Sequence, residues 1–526
     1  MTPTRMPIEI LTTPQMARAD KLTIAAGVPS MTLMQNAAAA IARTVTRMLQ
    51  RYSGRRVLVL CGPGNNGGDG YVAAGLLRAA RLKVRVASLV PRESLRGDAL
   101  KAASGWTGPV EDAENCAFDR ADLVVDALFG TGLARDIEGR AALLIERLNR
   151  WRRASGQHVV AVDIPSGIDG STGAVRGAAV EADSTVTFFR LKAGHLLLPG
   201  RLHCGELALE HIGIAPSVLD EIAPETFVNS PPLWLKDVPF PRIDGNKYTR
   251  GHTVVLSGDA SHTGAARLAA VAALRGGAGL VTVASPSDAM AVNAPALTSV
   301  MLREAGDPEG LRRLLADKRM NAVALGPGLG VGPDTRALVE TALASTPSAR
   351  RAFVLDADAL TSFAGDAASL WRLIRLAPGP IVLTPHGGEF ARLFSVQEAA
   401  WAAKVRSKLD AARAAALESG AVVLYKGPDT IIASPDGRAT MLSDTSPWLA
   451  TAGSGDALTG VIAGLLAQGM EAFAAASCGA WMHARAAQLF GPGLIADDIA
   501  ATLPAVWREL EGERRADRSK AQGRFS

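Results

Sequence analysis

Short, unbroken runs of Val, Ile and Leu that stop at glycine or a polar residue recur along this chain, and few folds accept that pattern. The first half holds RRVLVLCG, LKVRVASLV, ADLVVDALFG, HVVAVDIPSG and DSTVTFF. The second holds GHTVVLSG, GLVTVASP, NAVALGPG, RAFVLDADAL, PIVLTPHGGEF and AVVLYKGPDT. A strand with one face in water alternates apolar and polar residues, whereas a strand covered on both faces need not. Alanine-rich helical stretches between the runs, such as 70–80 and 139–149, supply the covers. The predicted fold class is α/β, with a doubly wound parallel sheet and helices on both of its faces in each half. Ligands bind such sheets outside the carboxyl ends of the strands, so the residues ending each run are the candidates for chemistry.

With 526 residues and about 150 per domain, two or three domains are expected. Between Ile214 and Asn246 stand Pro216, Pro224, Pro231, Pro232, Pro239 and Pro241. Proline fixes φ and lacks an N–H, so it suits a connector better than an element interior. The expected organisation is a first domain over 1–232, a linker over 233–245, a second domain over 246–512 and a charged, frayed tail over 513–526. A hydrophobic fraction of 48% against 20% charged residues excludes a mainly disordered chain. The net charge of +5 is scattered through helix-like segments, which argues against nucleic acid as a partner. No apolar run reaches the ~18 residues of a membrane span, and no signal peptide is read in the first thirty residues. Cys61, Cys116, Cys204 and Cys478 lie far apart without C-x-x-C spacing, so neither disulfides nor a zinc cluster are expected. A cytoplasmic protein without a membrane partner is the expectation, and alanine-rich helix faces add that of a homo-oligomer.

In the first half CGPGNNGGDG, Cys61–Gly70, follows a strand and precedes a helix. Its five glycines allow positive φ and close backbone approach, and amides at a helix start favour a phosphate. The amides of Asn65 and Asn66 and the carboxylate of Asp69 add hard oxygen ligands suited to a cation. A tight strand–helix turn is the plainer reading of the same residues. Two further strand ends, VDALFGTGL with Asp126 and VDIPSGIDGSTG with Asp163 and Ser166, carry matching groups. One strand-end aspartate is more often a cap than a catalyst, but three such loops on one sheet edge are harder to dismiss. Lys192 in FFRLKAGH would end a fourth strand, there to hold a phosphate or tune a carboxylate.

In the second half LATAGSGDALTGVIAGLLAQG places Gly453, Ser454, Gly455 and Asp456 at the start of an apolar helix. Free amides there stabilise a transferring phosphoryl group, and Asp456 could accept a hydroxyl proton; the plain alternative is a good helix cap. YKGPDTIIA ends a strand with Lys426 and Thr430, TPHGGEF carries His386, and LGPGLG carries Gly328. Asp356 and Glu389 read as sheet-edge caps before supporting carboxylates. His203, Cys204 and His211 lack a fourth metal ligand and read as structural, and His483 reads as a core histidine.

GPGNNGGDG, VDALFGTGL and DIPSGIDGSTG, with MARAD and LMQNAA upstream, resemble the NAD(P)H-hydrate epimerase domain over about 8–215. The resemblance implies a Rossmann-like three-layer sandwich whose substrate is hydrated NADH or NADPH, with a hydroxyl at C6 of the nicotinamide ring. It implies substrate contacts by Asn65, Asn66, Gly67, Gly68 and Asp69, by Gly130, Thr131, Gly132, Leu133, Ala134, Arg135 and Asp136, and by Asp163. It also implies a potassium ion, K+, on Asn66, Asp126 and Ser166. Interconverting the R and S hydrates needs a proton donor and acceptor beside C6, for which Asp163 is the candidate and Lys192 its partner.

K-G-x-x-T, T-P-H-x-G-E and G-S-G-D together resemble the ribokinase-like ADP/ATP-dependent NAD(P)H-hydrate dehydratase, an α/β/α sandwich, over about 246–510. The resemblance implies adenine nucleotide, ADP or ATP, on Lys426, Gly427, Pro428, Asp429 and Thr430; Mg2+ on its phosphates is expected from phosphoryl-transfer chemistry in general. The nucleotide would also meet Ser446, Pro447, Trp448, Leu449, Ala450, Thr451, Ala452, Gly453, Ser454 and Gly455. The hydrate would meet Ala278, Gly328, His386 and Asp456. Ser-Pro-Trp and Ala452 stand where that family commonly has Gly-Asn-Pro and glycine. A bifunctional repair enzyme is the leading expectation; a ribokinase-type small-molecule kinase with a non-catalytic nucleotide-binding first half is the alternative.

Overall fold

The computed structural model describes residues 7–133, 135–344, 350–394, 401 and 405–522. The chain divides into two compact units, Met1–Thr226 and Phe227–Ser526.

The first unit is built on seven strands in the spatial order Val110–Asp112, Lys83–Ser88, Arg56–Cys61, Leu123–Ala127, His158–Val162, Ser184–Phe188 and Glu206–Glu210. All six pairings are parallel. Along Arg56–Cys61 the side chains part by pleat: Val57, Val59 and Cys61 enter one core and Leu58 and Leu60 the other. That division explains runs without polar alternation. One core is roofed by Ser30–Tyr52, whose Leu33, Met34, Ala37, Ile41, Val45 and Leu49 form a buried helical stripe. The other is closed by Gly139–Ser155 through Leu144, Ile145 and Leu148. The strand order reverses between Arg56–Cys61 and Leu123–Ala127, which opens a crevice at their carboxyl ends.

The glycine-rich segment departs from its expectation. The helix begins at Asn65 and runs to Ala79, taking in NNGGDG, and none of Gly62, Gly64, Gly67, Gly68 and Gly70 has positive φ. These glycines serve close approach instead. A Cβ on Gly67 would stand 2.0 Å from the carbonyl oxygen of Gly62, and one on Gly62 1.7 Å from that of Leu128.

In the second unit seven parallel strands lie in the order Met301–Glu304, Leu280–Ser285, His252–Leu256, Ala322–Leu325, Ala352–Leu355, Ile381–Leu383 and Val422–Tyr425. Ile431–Ala433 and Ala439–Met441 extend the sheet antiparallel. The helix Ser454–Ala467 packs against Thr263–Arg275 and over the strands Ala322–Leu325 and Ala352–Leu355. Gly460 and Gly464 allow this, because a Cβ on either would meet the carbonyl oxygen of Ala269 at 2.0 Å or of Ala273 at 2.4 Å. Within the proline-rich segment Trp234, Leu235 and Val238 belong to this unit's apolar core, and Trp234 Nε1 donates to Asn229 Oδ1. The charged segment expected to fray is helical: one helix spans Ala496–Gln522, its Glu511 and Arg515 paired one turn apart. Glu, Arg and Ala are strong helix formers, and opposite charges at i and i+4 support a solvated helix.

Candidate active sites

At the first unit's crevice a cavity of about 710 Å³ opens, a size typical of cofactor and small-molecule sites. Asn65, Asn66, Asp69, Gly130, Thr131, Gly132, Leu133, Arg135, Asp163 and Lys192 line it. The sheet topology thus gathers loops that are more than a hundred residues apart. Gly67 and Gly68 are buried in the first turn of the adjoining helix. Asp136 is not in the lining; its exposed carboxylate lies 3.7 Å from Arg176 Nη1. Ala134 lies outside the described residues.

Asp163 sits just past the end of its strand with φ 65°, a left-handed conformation that a non-glycine residue keeps only where its surroundings hold it. Oδ1 accepts from Lys192 Nζ at 2.7 Å and from Thr187 Oγ1 at 3.4 Å. Oδ2 accepts from N and Oγ1 of Thr131 at 3.0 and 2.9 Å. Burial works to raise its pKa, but the Lys192 charge and these bonds prevail and bring it to about 2. His195, pushed down to about 4 by burial and the Lys192 charge, is neutral. Its Nδ1 accepts from Lys192 N and its Nε2 donates to Asp163 O, at 3.0 and 2.8 Å.

Beneath the rim Asp126 and Ser166 are fully buried. Ser166 Oγ donates to Asp126 Oδ1 at 2.6 Å, Ser166 N donates to Oδ2 at 2.8 Å, and the Phe129 carbonyl lies 3.0 Å from Ser166 Oγ. Burial raises the Asp126 pKa to about 6 despite these bonds. The side-chain nitrogen of Asn66 is buried without a hydrogen-bond partner. The Asp126 carboxylate, the Ser166 hydroxyl and the Phe129 carbonyl are oxygen ligands that fit a hard monovalent cation; Asn66 could join them only through its Oδ1, not through the unsatisfied nitrogen.

In the second unit the strand ends again converge. Asp356 follows Ala352–Leu355 and caps the next helix through Ala357 N at 2.9 Å. Buried there, it accepts from Lys426 Nζ at 2.7 Å and from Thr459 Oγ1 at 2.8 Å. Asp356 is therefore the anchor of this site and more than a cap. Burial works to lower the Lys426 pKa, but the charges of Asp356 and Glu389 outweigh it and raise the value. Asp456 stands in the first turn of Ser454–Ala467. Burial first, and then the nearby Asp356 charge, push its pKa up to about 6 against the pull of Lys426. The turn lies beside the ion pair: a Cβ on Gly455 would stand at ordinary contact distance, 3.4 Å from Lys426 Nζ and 3.9 Å from Asp356 Oδ2. Gly453, at φ 83°, lets the chain enter that turn.

His386 is a half-exposed N-cap whose Nδ1 accepts from Gly388 N at 3.0 Å, with Glu389 Oε2 accepting from its own N–H at 2.8 Å. Burial raises the Glu389 pKa. Gly328, with φ 72°, abuts His262 in a loop beside Gly258. Thr430 Oγ1 donates to the Gly427 carbonyl, and Lys408 Nζ donates to Asp429 Oδ1, both at 2.7 Å, so these side chains brace their own loop. Pro428 is tied to Thr445, whose Oγ1 donates to its carbonyl. Ser446 caps the short helix Pro447–Leu449 through Trp448 N, and Trp448 is exposed. Ala450, Thr451 and Ala452 lead on to Ser454, whose Oγ donates to the Leu449 carbonyl. Ala278 lies in the apolar core between the helix Thr263–Arg275 and the strand Leu280–Ser285. His483 is buried, and its Nε2 bonds the Ser454 carbonyl at 2.9 Å.

Sequence reasoning gave no role to Thr187, His195, Thr459 or Asp20. Thr187, His195 and Thr459 act through hydrogen bonds across elements, which linear spacing does not reveal. Asp20 had a signal, an acidic residue one turn beyond Met16 on the helix Thr13–Ala25, where Met16, Ala19 and Thr23 are buried.

Both units match known proteins. The pattern of the YjeF-related protein N-terminus matches residues 30–194, and that of NAD(P)H-hydrate dehydratase matches residues 253–503. The bifunctional NAD(P)H-hydrate repair enzyme Nnr of Moorella thermoacetica is 36% identical, over 96% of this chain and 97% of that one. Its namesake from Thermofilum pendens is 37% identical over 92% and 93%. Among solved structures, an ADP/ATP-dependent NAD(P)H-hydrate dehydratase from Bacillus subtilis, co-crystallised with ATP and Mg2+, is 27% identical with a TM-score of 0.45. It covers 54% of this chain and 98% of that one. Two units in this order, matched over nearly the full length, show that the chain belongs to the bifunctional NAD(P)H-hydrate repair enzymes.

Proposed function

We propose that the first unit interconverts the R and S hydrates of NADH and NADPH, and that the second returns the S hydrate to the reduced coenzyme using ADP or ATP. The observation that carries the reading is Asp456, a half-buried carboxylate with a pKa of about 6 in a helix-start turn against Lys426. Hydroxide leaves carbon poorly and phosphate leaves well. Asp456 takes the proton of the C6 hydroxyl as that oxygen attacks the terminal phosphorus of the nucleotide. The amides of Gly453, Ser454 and Gly455 and the Lys426 ammonium hold the phosphoryl charge. The C6–O bond then breaks with the pair on phosphate, and loss of the C5 proton restores the C5–C6 double bond.

Among the described residues no group of three or more His, Cys, Asp or Glu is placed to hold a metal ion. In this reading Mg2+ comes on the nucleotide phosphates, whose charge it neutralises. Potassium in the first unit would be held by Asn66, Asp126 and Ser166, where its charge offsets that of the buried Asp126 carboxylate. Four free, buried cysteines support a cytoplasmic setting.

The test supplies full-length protein with each hydrate, ADP or ATP and Mg2+, and follows the recovered near-ultraviolet absorbance of the reduced nicotinamide. Recovery from S at once and from R after epimerisation is expected. No recovery from either, with phosphorylation of a sugar or vitamin-precursor alcohol instead, would establish the kinase reading.

A further inference from the structure

We infer that Asp20 is the residue that carries the proton in epimerisation, and that Asp163 serves as a fixed negative charge beside the reacting ring. The inference rests on the epimerase reading given above. Both oxygens of the Asp163 carboxylate are committed, one to Lys192 and Thr187 and the other to the amide and hydroxyl of Thr131. A carboxylate so held, ionised down to about pH 2, has no proton to give at neutral pH and little tendency to take one. Lys192 reaches the cavity wall with only 1% of its side chain exposed, and its ammonium is divided between Asp163 and Thr187. Neither group is free to shuttle.

Asp20 differs in each respect. It lines the same cavity from the helix Thr13–Ala25, and among the described residues it accepts no hydrogen bond. Burial raises its pKa, the Lys192 charge lowers it and the Asp163 charge raises it, leaving it at about 6. The other charged residues lining the cavity are Asp69, Asp98, Arg135, Asp163 and Lys192. Asp69 is the nearest rival, but burial, Asp163 and Asp20 all raise its pKa with no opposing cation. Those causes all favour its acid form over the carboxylate. Asp20 alone among the cavity carboxyls combines an open oxygen with a proton that leaves near neutrality.

The chemistry needs one such group used twice. Protonated Asp20 gives its proton to the C6 hydroxyl, and the C6–O bond breaks with its electron pair leaving as water. The lone pair of ring nitrogen N1 forms the C6–N1 double bond, and the cation is balanced by Asp163. Water adds to the other face of C6 and returns a proton to the Asp20 carboxylate, so atoms, charge and oxidation state are those of the start.

The experiment measures interconversion of R and S NADH hydrate by full-length protein without nucleotide, against the uncatalysed rate, for wild type, Asp20→Asn and Asp69→Asn. Asp20→Asn is expected to lose at least about 100-fold in kcat, with KM within about threefold. Wild-type kcat should fall as pH rises through about 6, and formate should restore part of the rate to Asp20→Ala. Asp20→Asn turning over within twofold of wild type would overturn the assignment. So would a wild-type kcat that is flat from pH 5 to 8, a result that needs no variant to fold. Wild type that interconverts neither hydrate would instead overturn the epimerase reading, and the inference with it.

Discussion

The two sites share a plan and differ in what surrounds it. Each buries a lysine–aspartate pair at 2.7 Å with a threonine on it, Lys192–Asp163 with Thr187 and Lys426–Asp356 with Thr459. Each sets beside that pair a second carboxyl lifted to about 6 by burial, Asp20 in one and Asp456 in the other. The first site has a roomy cavity and an aspartate in left-handed backbone; in the second, Asp456 stands in the opening turn of a long helix. The difference matches the proposed chemistry. Epimerisation is reversible and needs no anion stabilised, so an enclosure with a proton carrier suffices. Dehydration moves a phosphoryl group and needs amides aimed at its charge.

Asp456 carries the largest expected effect. Asp456→Asn should slow recovery of the reduced nicotinamide from S hydrate by about 100- to 10,000-fold while epimerisation continues. Near-normal recovery would remove the base role and the parallel with it.

The next largest effect concerns stability. Lys192→Met leaves the buried Asp163 charge uncompensated and should cost about 3–5 kcal/mol in denaturant unfolding. Lys426→Met should cost more, because the Asp356 carboxylate it strands is 2% exposed against 15% for that of Asp163. The reverse order would show that exposure does not separate the pairs.

Acidity should divide the two activities. An acid must hold its proton and a base must have lost it, so epimerisation should fall and dehydration rise as pH climbs through about 6. Each limb approaches tenfold per unit. Two profiles of one sign would break the assignment of opposite roles. The smallest effect is that of the threonines: Thr187→Val and Thr459→Val should each lose about 1 kcal/mol of stability, read as a shift in denaturant midpoint.

Much of this was legible in the sequence because buried parallel strands carry a composition of their own. All eleven runs quoted above contain a strand, and the residues just after them supply Asp163, Asp356, His386 and Lys426. What escaped was short or polar. Glu206–Glu210 alternates and lies at a sheet edge, and Ile431–Ala433 and Ala439–Met441 are three residues each, joined around Pro435-Asp436-Gly437. The glycine-rich segment misled for a physical reason. Glycine gives freedom of φ and absence of bulk together, and linear order does not tell which is in use. Asp20 went unassigned because a carboxyl on a helix reads as solvated until its cavity is seen.

Gly460 and Gly464 seat the helix that carries Asp456 on its neighbour, main chain against main chain. A joint of that kind has no rotamers to rearrange on warming. The seat of the helix that carries Asp456 on the helix Thr263–Arg275 is therefore set by main-chain contact more than by side-chain packing, and the opening turn should keep its place up to the melting of the unit. Enlarging either glycine would tilt the reacting turn as a lever tilts about its pivot, harming catalysis from a point remote from any ligand.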